Sequence, residues 1–400
     1  MARSCVVPVV ELINLREHPN ASLMGLADVL GYQIVIGLVE DPEGPIVRQF
    51  LPELDDKGRR VPVPDGEVPD NAITVRFKFQ YNEGDKVVYF PADVLIPDGW
   101  AEKFGVKHLL ASPDQSRVKK IALRGEPSYG LVVPLPEDAD WDLNNNVANY
   151  YGVTKYEPPV KTTEGDAAPY RDHIDPYLEK YTDIENGRIF MDIFKEGEEV
   201  VATEKIHGGN SRVGKINGEY VAASMELIRA RPLTSSGEEA GLDSDIIKNN
   251  IYWHPFSNEA VRKLIDYLSE KYKAVILYGE VFGKVQKLRY GRKGLDYRAF
   301  DIRLDGRFLN CTEKYELFYD YGILTVPVLY QGPYSYKKIA EISNGDTTLI
   351  TEGETHIREG VVVTPVVERT NPKIGRVILK YIGDAYEMKF KGGRHDTRDV

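Results

Sequence analysis

A proline-rich stretch near the middle of the chain decides what it can fold into. Pro158, Pro159, Pro169 and Pro176 fall among Thr, Glu, Gly and Asp between residues 155 and 187. Proline fixes φ and lacks a backbone donor, so regular strands and helices do not run through such a segment. The chain of 400 residues is therefore read as two separately packed parts, as its length also favours. The reading is one domain over 1–155, a linker over 156–175 and a second domain over 176–400. Pro176–Tyr181 reads as a short helical piece.

The two parts differ in charge. Residues 1–200 carry 21 Lys+Arg against 35 Asp+Glu, a balance of −14; residues 201–400 carry 30 against 27, a balance of +3. Such asymmetry suggests separate roles. The net charge of −11 excludes a general polycation. With 42% hydrophobic and 28% charged residues the composition is globular. No apolar run reaches the roughly 18 residues of a membrane-spanning helix. The N-terminus lacks a signal-peptide cleavage pattern. Two cysteines, Cys5 and Cys311, cannot build a disulfide framework or a cysteine zinc site. The expectation is a cytoplasmic protein with no membrane partner.

The first 150 residues read as short strands separated by turns. Val6–Leu15, Gln33–Leu38, Ala72–Phe79 and Lys86–Phe90 are β-branched or aromatic, and Asn82-Glu83-Gly84-Asp85 and Pro97-Asp98-Gly99 punctuate them. Arg117–Ala122 and Tyr129–Val133 read as closing strands, with a helix near Trp100–Leu110. That pattern suggests a small barrel such as an OB-fold. The second half mixes strands at Val200–Glu204, Ser211–Ile216, Tyr220–Ala223, Ala274–Val281, Ala299–Leu304, Gly360–Pro365 and Val377–Tyr381 with helices. Asn258–Tyr272 has helical apolar spacing at Val261, Leu264, Ile265 and Leu268. Lys314–Tyr321 and Tyr336–Ile342 read as shorter helices. The class is α+β.

The most informative local run is Thr203-Glu204-Lys205-Ile206-His207-Gly208-Gly209-Asn210-Ser211-Arg212. Lys205 ends a buried strand and is followed by a glycine pair. A lysine entering a core must be paired or shed its proton. The neutral amine is a nucleophile, and adjacent glycines let a phosphate approach the backbone. Alone, the run also reads as a surface lysine before a turn. Further along come Tyr278-Gly279-Glu280-Val281-Phe282-Gly283, then Tyr297-Arg298-Ala299-Phe300-Asp301-Ile302. Glu359-Gly360-Val361-Val362-Val363 and Ile378-Leu379-Lys380-Tyr381 follow. Each alone is an ordinary strand end.

Taken together and in this order, these runs resemble the covalent nucleotidyltransferases. The closest resemblance is to ATP-dependent RNA ligases of the nick-sealing, RNA-ligase-2-like type, whose nucleophile motif takes the form Glu-Lys-Ile-His-Gly-x-Asn. The resemblance covers roughly residues 180–392. Arg124-Gly125-x-x-Ser128-x-Gly130-Leu131 is similar to a segment of the OB module that one subgroup carries ahead of the ligase domain. The implied fold is an N-terminal OB-like β-barrel followed by an antiparallel-sheet nucleotidyltransferase domain.

The resemblance implies that Lys205 attacks the α-phosphorus of ATP, expels pyrophosphate and becomes lysyl-AMP. AMP then passes to an RNA 5′-phosphate, and a 3′-hydroxyl displaces it, as in RNA repair. It further implies Glu280 and Glu359 near Mg²⁺ or Mn²⁺ and the ribose, Phe300 stacked on adenine, and Lys380 on the α-phosphate. His207 and Asn210 serve later steps or metal hydration; Glu204 and Arg229 complete the ATP-site set. Arg229 is the first choice for an arginine whose register in Ser224–Arg231 is ambiguous. The family often has Lys-x-Lys in its last motif, whereas Ile382 stands second here; Arg376, Lys389 or Lys391 could replace the missing cation. RNA is the expected partner of a monomeric enzyme. Candidate phosphate contacts are Lys284, Lys287, Arg289, Arg292 and Lys293 around Tyr290, and Lys119 and Lys120, with Arg117 and Arg124, in the first part.

Two enzymatic rivals are a DNA ligase and a capping guanylyltransferase. His207, where those have Asp, and the short stretch after Lys380 argue against both. A nucleic-acid-binding protein with a decayed ligase fold would need none of Lys205, Glu280 and Glu359. His18, His108, His173, His254, His356 and His395 show no metal-ligand spacing, and no P-loop is present.

Overall fold

Strand Tyr32–Glu40 shows the rule by which the first half is built. Tyr32, Ile34 and Ile36 are buried while Gln33, Val35 and Gly37 are half-buried, the two-residue period of a strand with one face on a core. It belongs to a six-stranded antiparallel sheet, ordered Ile13–Glu17, Met24–Val29, Tyr32–Glu40, Ile73–Phe79, Ile46–Leu54 and Arg60–Pro62. Lys86–Phe90 is central to a second sheet, between Val9–Glu11 and Leu131–Pro134. Both its faces are covered: Val88 and Phe90 enter one apolar core, Val87 and Tyr89 another.

The computed structural model describes residues 5–63, 68–111, 114–156, 178, 181–225, 227–350 and 355–390. By contacts the chain divides into two units, Met1–Pro158 and Pro159–Val400. The expected linker, apart from Tyr156, lies outside the described residues, as do His173, Lys391 and His395; of Pro176–Tyr181 only Leu178 and Tyr181 are described. The first unit has more strands than the sequence reading allows. Met24–Val29 and Ile46–Leu54 are strands although Gly25, Asp28 and Pro52 interrupt their patterns. Arg117–Ala122 is replaced by the hairpin Lys120–Leu123 with Glu126–Tyr129. Arg124 and Gly125 form its turn at φ of 50° and 91°. The helical stretch near 100–110 is a short helix, Asp98–Lys103, and a 3-10 turn, Lys107–Leu109.

Among its described residues the second unit carries two large sheets and a small ladder, Thr370–Asn371 with Gly375–Arg376. One has five strands, ordered Glu185–Asn186, Leu379–Ile382, Gly360–Pro365, Glu199–Lys205 and Val328–Pro333; only its first pair is parallel. The other has six antiparallel strands, ordered Ile228–Arg229, Glu219–Ala223, Gly209–Ile216, Ala274–Gly283, Leu295–Leu304 and Arg307–Phe308. The six-stranded sheet is backed by helix Glu259–Ser269. Asn258 caps that helix by accepting the Ala260 amide at 2.9 Å. Val261, Leu264, Ile265 and Leu268 form its buried stripe, each contributing about 1.5–3 kcal/mol of apolar burial. Helix Cys311–Asp320 opens with an Asn310/Glu313 capping box. The unit is mixed α+β with mostly antiparallel sheets, as expected.

Lys205 stands where the chain leaves the five-stranded sheet; four residues later Gly209 begins a strand of the six-stranded one. That crossing positions the site.

Candidate active site

Strand register decides which side chains share the cleft. Thr203 pairs with Val362, and Val362 with Lys380. Directly opposed residues project from one face, and the face repeats every second residue. Thr203, Lys205, Val362 and Lys380 therefore leave the five-stranded sheet on the same side. Thr203, Lys205 and Val362 line a cleft that is open to solvent. Asn210, Glu280 and Phe300 line it from the six-stranded sheet. Asn210 faces Glu280 across the ladder.

Phe300 reaches the cleft through a β-bulge. Tyr278 pairs with Asp301 and Gly279 with Ala299, so Phe300 is the extra residue between them. A bulge re-aims a side chain that regular pairing would place elsewhere. The Phe300 ring lies 5.4 Å from that of Tyr181, tilted by 58°. Gly208 permits a different close approach: a Cβ there would lie 2.4 Å from the Val281 carbonyl oxygen and 2.9 Å from Glu280 Cγ. Only glycine lets the nucleophile turn lie against the Glu280 strand.

Lys205 Nζ lies 2.8 Å from Glu359 Oε1. Its side chain is 20% exposed, and that of Glu359 7%. The other Glu359 oxygen is 3.4 Å from His207 Nδ1, and the Tyr386 hydroxyl is 3.0 Å from the same nitrogen. The His207 amide donates to the Tyr290 hydroxyl at 2.7 Å. Burial pushes the Tyr290 phenol far above its ordinary pKa. Among the described residues nothing hydrogen-bonds to the buried Asn210 Oδ1, an acceptor at the edge of the cleft.

The other expected residues are placed differently. Glu204 borders the cleft, but strand alternation turns its side chain to the opposite face. There it is buried and accepts from Thr347 Oγ1, from the Thr348 amide at 2.9 Å and from Thr348 Oγ1 at 2.7 Å. It anchors the 347–348 turn. Arg229 sits on the outermost strand of the six-stranded sheet, its guanidinium 4.1 Å from the Tyr252 ring and donating to the Tyr252 hydroxyl. Arg376 is committed elsewhere: it pairs with Asp301 at 2.9 Å and Glu368 at 2.5 Å. Lys389 is exposed on helix Asp384–Phe390.

In the basic run, Lys284, Lys287, Arg289 and Lys293 are exposed and Arg292 pairs with Asp296 at 2.8 Å. Tyr290 is not interleaved among them at the surface; it is 1% exposed. In the first unit, Lys120 Nζ lies 4.8 Å from the Tyr129 ring centre and Lys119 is half-buried. Arg117 pairs with Asp93 and lies over the Tyr156 ring at 3.6 Å. Arg124 is exposed at its turn.

Comparison with known proteins bears on this arrangement. Residues 198–382 match the family model for RNA ligases. They are a domain of the RNA ligase family. The matched span begins at the nucleophile strand and ends with the Lys380 strand, so it includes every cleft residue named from the sequence. Solved structures of Naegleria gruberi RNA ligase share the fold of the whole chain. An apo mutant has a TM-score of 0.62 at 19% identity, covering 98% of this chain and 100% of that one. A mutant with ATP and Mn gives 0.62 at 19%, covering 97% and 100%, and one with AMP and Mn gives 0.61 at 19%, covering 97% and 99%. No curated protein matches the chain. Among the described residues no helix is long and apolar enough to cross a membrane.

The sequence reading of this RNA ligase domain missed Gln286 and Tyr386 and named Tyr290 only as the aromatic inside the basic run; all three contact the nucleophile turn. It also missed the role of Asp301, although it quoted that residue.

Proposed function

We propose that this RNA ligase joins RNA 3′-hydroxyl and 5′-phosphate ends at nicks in duplexes, through lysyl-AMP and an adenylylated RNA end. The observation that carries the proposal is Lys205, held on a buried carboxylate at the crossing between two sheets and opening into a cleft that contains Phe300. A lysine used only as a surface cation needs neither the crossing nor the cleft.

In the first step Lys205 Nζ attacks the α-phosphorus of ATP and pyrophosphate leaves. An unperturbed lysine titrates near ~10.4, so the amine must lose its proton first. Glu359 holds Nζ in place as the ammonium, and Lys380, on the same face, favours the neutral amine and takes charge from the α-phosphate. Phe300 offers a stacking face to adenine, and Asn210 Oδ1 an acceptor to the ribose or a hydrated ion. The Naegleria structures with ATP and Mn, and with AMP and Mn, support this reading of the cofactors.

Glu280 and Glu359 are the carboxylates we assign to a divalent cation. Among the described residues no group of three or more His, Cys, Asp or Glu could cage one. That fits Mg²⁺ or Mn²⁺ held by one or two carboxylates, waters and phosphate oxygens. Such an ion would neutralise phosphate charge and help depress the lysine pKa.

In the later steps His207, pinned at Nδ1 and at its amide, presents the rest of its ring to the RNA end. The exposed cations Lys284, Lys287, Arg289 and Lys293 contact the phosphate backbone. The first unit is read as an OB-like nucleic-acid-binding domain using Lys119 and Lys120. The test is incubation with labelled ATP and labelled GTP, followed by matched RNA and DNA nicks. A covalent adduct with ATP alone, stable to alkali and labile to acid as a phosphoramidate is, and sealing of RNA 3′-hydroxyl nicks are the expected results. An adduct with GTP points to a capping-type enzyme, and no adduct points to a binding protein.

A further inference from the structure

The loop 284–294 joins strands Ala274–Gly283 and Leu295–Leu304, and its residues divide by direction. Lys284, Lys287, Arg289 and Lys293 face solvent. Gln286, Leu288 and Tyr290 turn inward, Leu288 and Tyr290 being buried in the cluster that contains Ile206 and Tyr386. Two of the inward residues hold consecutive backbone groups of the nucleophile turn. Tyr290 accepts from the His207 amide at 2.7 Å, and Gln286 Nε2 donates to the Gly208 carbonyl. Tyr290 adopts φ of 50°, a left-handed conformation that bulky residues rarely take and that surrounding structure must impose. Its ring is wedged edge-to-face against Phe282 and His356, at 5.3 and 4.6 Å.

The same loop borders a second cavity, lined by Tyr290, Gly291, Arg292, Arg298, Thr348 and Leu349. Arg292 and Arg298 both pair with Asp296, each at 2.8 Å. Two guanidiniums against one carboxylate leave the loop's base with an excess of positive charge, suited to a phosphate.

We propose that this loop seats a phosphate of the RNA strand at the second cavity, and that Tyr290 and Gln286 are positioning residues tying that seat to the turn that carries His207. The proposal rests on the RNA-ligase reading and goes beyond it. One face of the loop takes substrate charge, and the other fixes the backbone two and three residues after Lys205. The RNA-dependent steps feel this tie most, because His207 is the group it orients, and small displacements of such a group are costly.

The experiment compares full-length parent with Tyr290→Phe, Gln286→Met and Arg292→Gln. Lysyl-AMP formation from labelled ATP, sealing of a nicked RNA duplex over a range of RNA concentrations, and RNA binding by fluorescence anisotropy are measured side by side. Tyr290→Phe should lower kcat for sealing at least about tenfold further than it lowers lysyl-AMP formation, with RNA affinity within about twofold of the parent. Gln286→Met should show the same split, and Arg292→Gln should raise the KM for RNA several-fold with little change in kcat. On a His207→Ala background, Tyr290→Phe should add less than about twofold to the sealing defect. Equal slowing of both steps, additive defects with His207→Ala, or weakened RNA binding with kcat intact in Tyr290→Phe would each overturn the proposal. If Tyr290→Phe melts at a lower temperature than the parent, Gln286→Met decides by the same criteria. A parent that forms no lysyl-AMP refutes the ligase reading; a parent that seals while both variants seal equally well refutes this inference alone.

Discussion

Two buried carboxylates border the same region of the second unit, and they are arranged oppositely. Asp301 is closed in: Lys314 Nζ lies at 2.5 Å, Arg376 at 2.9 Å and the Tyr181 hydroxyl at 2.5 Å, and Arg376 is further held by Glu368. Both partners of the Lys314–Asp301 pair are 3% exposed or less. Glu359 is nearly as buried, yet its main cation, Lys205, opens to the cleft. Burial alone would raise the Asp301 pKa, but Arg376 and Lys314 outweigh it and hold the carboxyl well below the usual carboxylate range. Asp301 and Lys314 also border the cleft, but a carboxylate held by three buried partners fixes structure; one paired with a partly exposed amine lets that amine react once a ligand displaces the pairing.

The sharpest way to break this contrast is to remove the amine. Lys205→Ala should abolish transfer of label from ATP while leaving the urea unfolding midpoint close to the parent. Lys205→Arg should fail equally, because guanidinium stays protonated. AMP located by mass spectrometry on any other lysine removes Lys205 from its role.

Asp301→Asn should do the reverse in kind, acting on stability. Leaving Lys314 and Arg376 buried without their carboxylate should cost about 3–5 kcal/mol in denaturant unfolding. The pH dependence follows from the sign of the shift. The folded pKa is depressed, so the stabilisation is complete above the unfolded value of about 3.9 and is lost as pH falls toward the folded one. The gap between parent and variant should stay constant from pH 8 to pH 5 and shrink below about pH 4. A gap that widens on acidification contradicts the closed-network account.

Glu359→Gln keeps the shape and removes the charge. It should cost about 2–4 kcal/mol of transition-state stabilisation in lysyl-AMP formation, with a stability loss well below that of Asp301→Asn. If its unfolding free energy drops as far as that of Asp301→Asn, the two carboxylates are alike and the contrast fails.

What the sequence revealed follows the same division. Lys205, Asn210, Glu280 and Phe300 were named through the resemblance to RNA ligases, since each run alone reads as an ordinary strand end, and all four line the cleft. Helix Glu259–Ser269 was legible from four apolar positions. The direction of Glu204 was not, since it depends on which face of its strand meets the 347–348 turn. Phe300 was named, but the bulge that aims it depends on the register of the neighbouring strand. Strand Val328–Pro333 escaped notice because Gly332 and Pro333 weaken its pattern; it lies at the sheet edge, where such residues are tolerated. Tyr290 and Tyr386 act on a turn 83 and 179 residues away in sequence, and no local pattern announces contacts of that range.

The smallest effects concern the two sets of surface cations, and they extend the contrast to the two units. Lys284 and Lys287 are exposed on a loop whose inner side chains hold the nucleophile turn. Lys120 packs on the Tyr129 ring and Lys119 is half-buried, in a half of the chain with a balance of −14. A phosphate contact releases condensed counterions, so each lost contact lowers the slope of log affinity against log salt by roughly 0.7–0.9. Lys284→Ala with Lys287→Ala should reduce that slope by about 1.5 for a nicked RNA duplex. Lys119→Ala with Lys120→Ala should reduce it by less, because an ammonium already resting on an aromatic face gives up that contact to reach a phosphate. Binding titrations at several salt concentrations measure both slopes. If the first-unit pair gives the larger drop, that unit rather than the 284–294 loop is the main electrostatic contact with RNA.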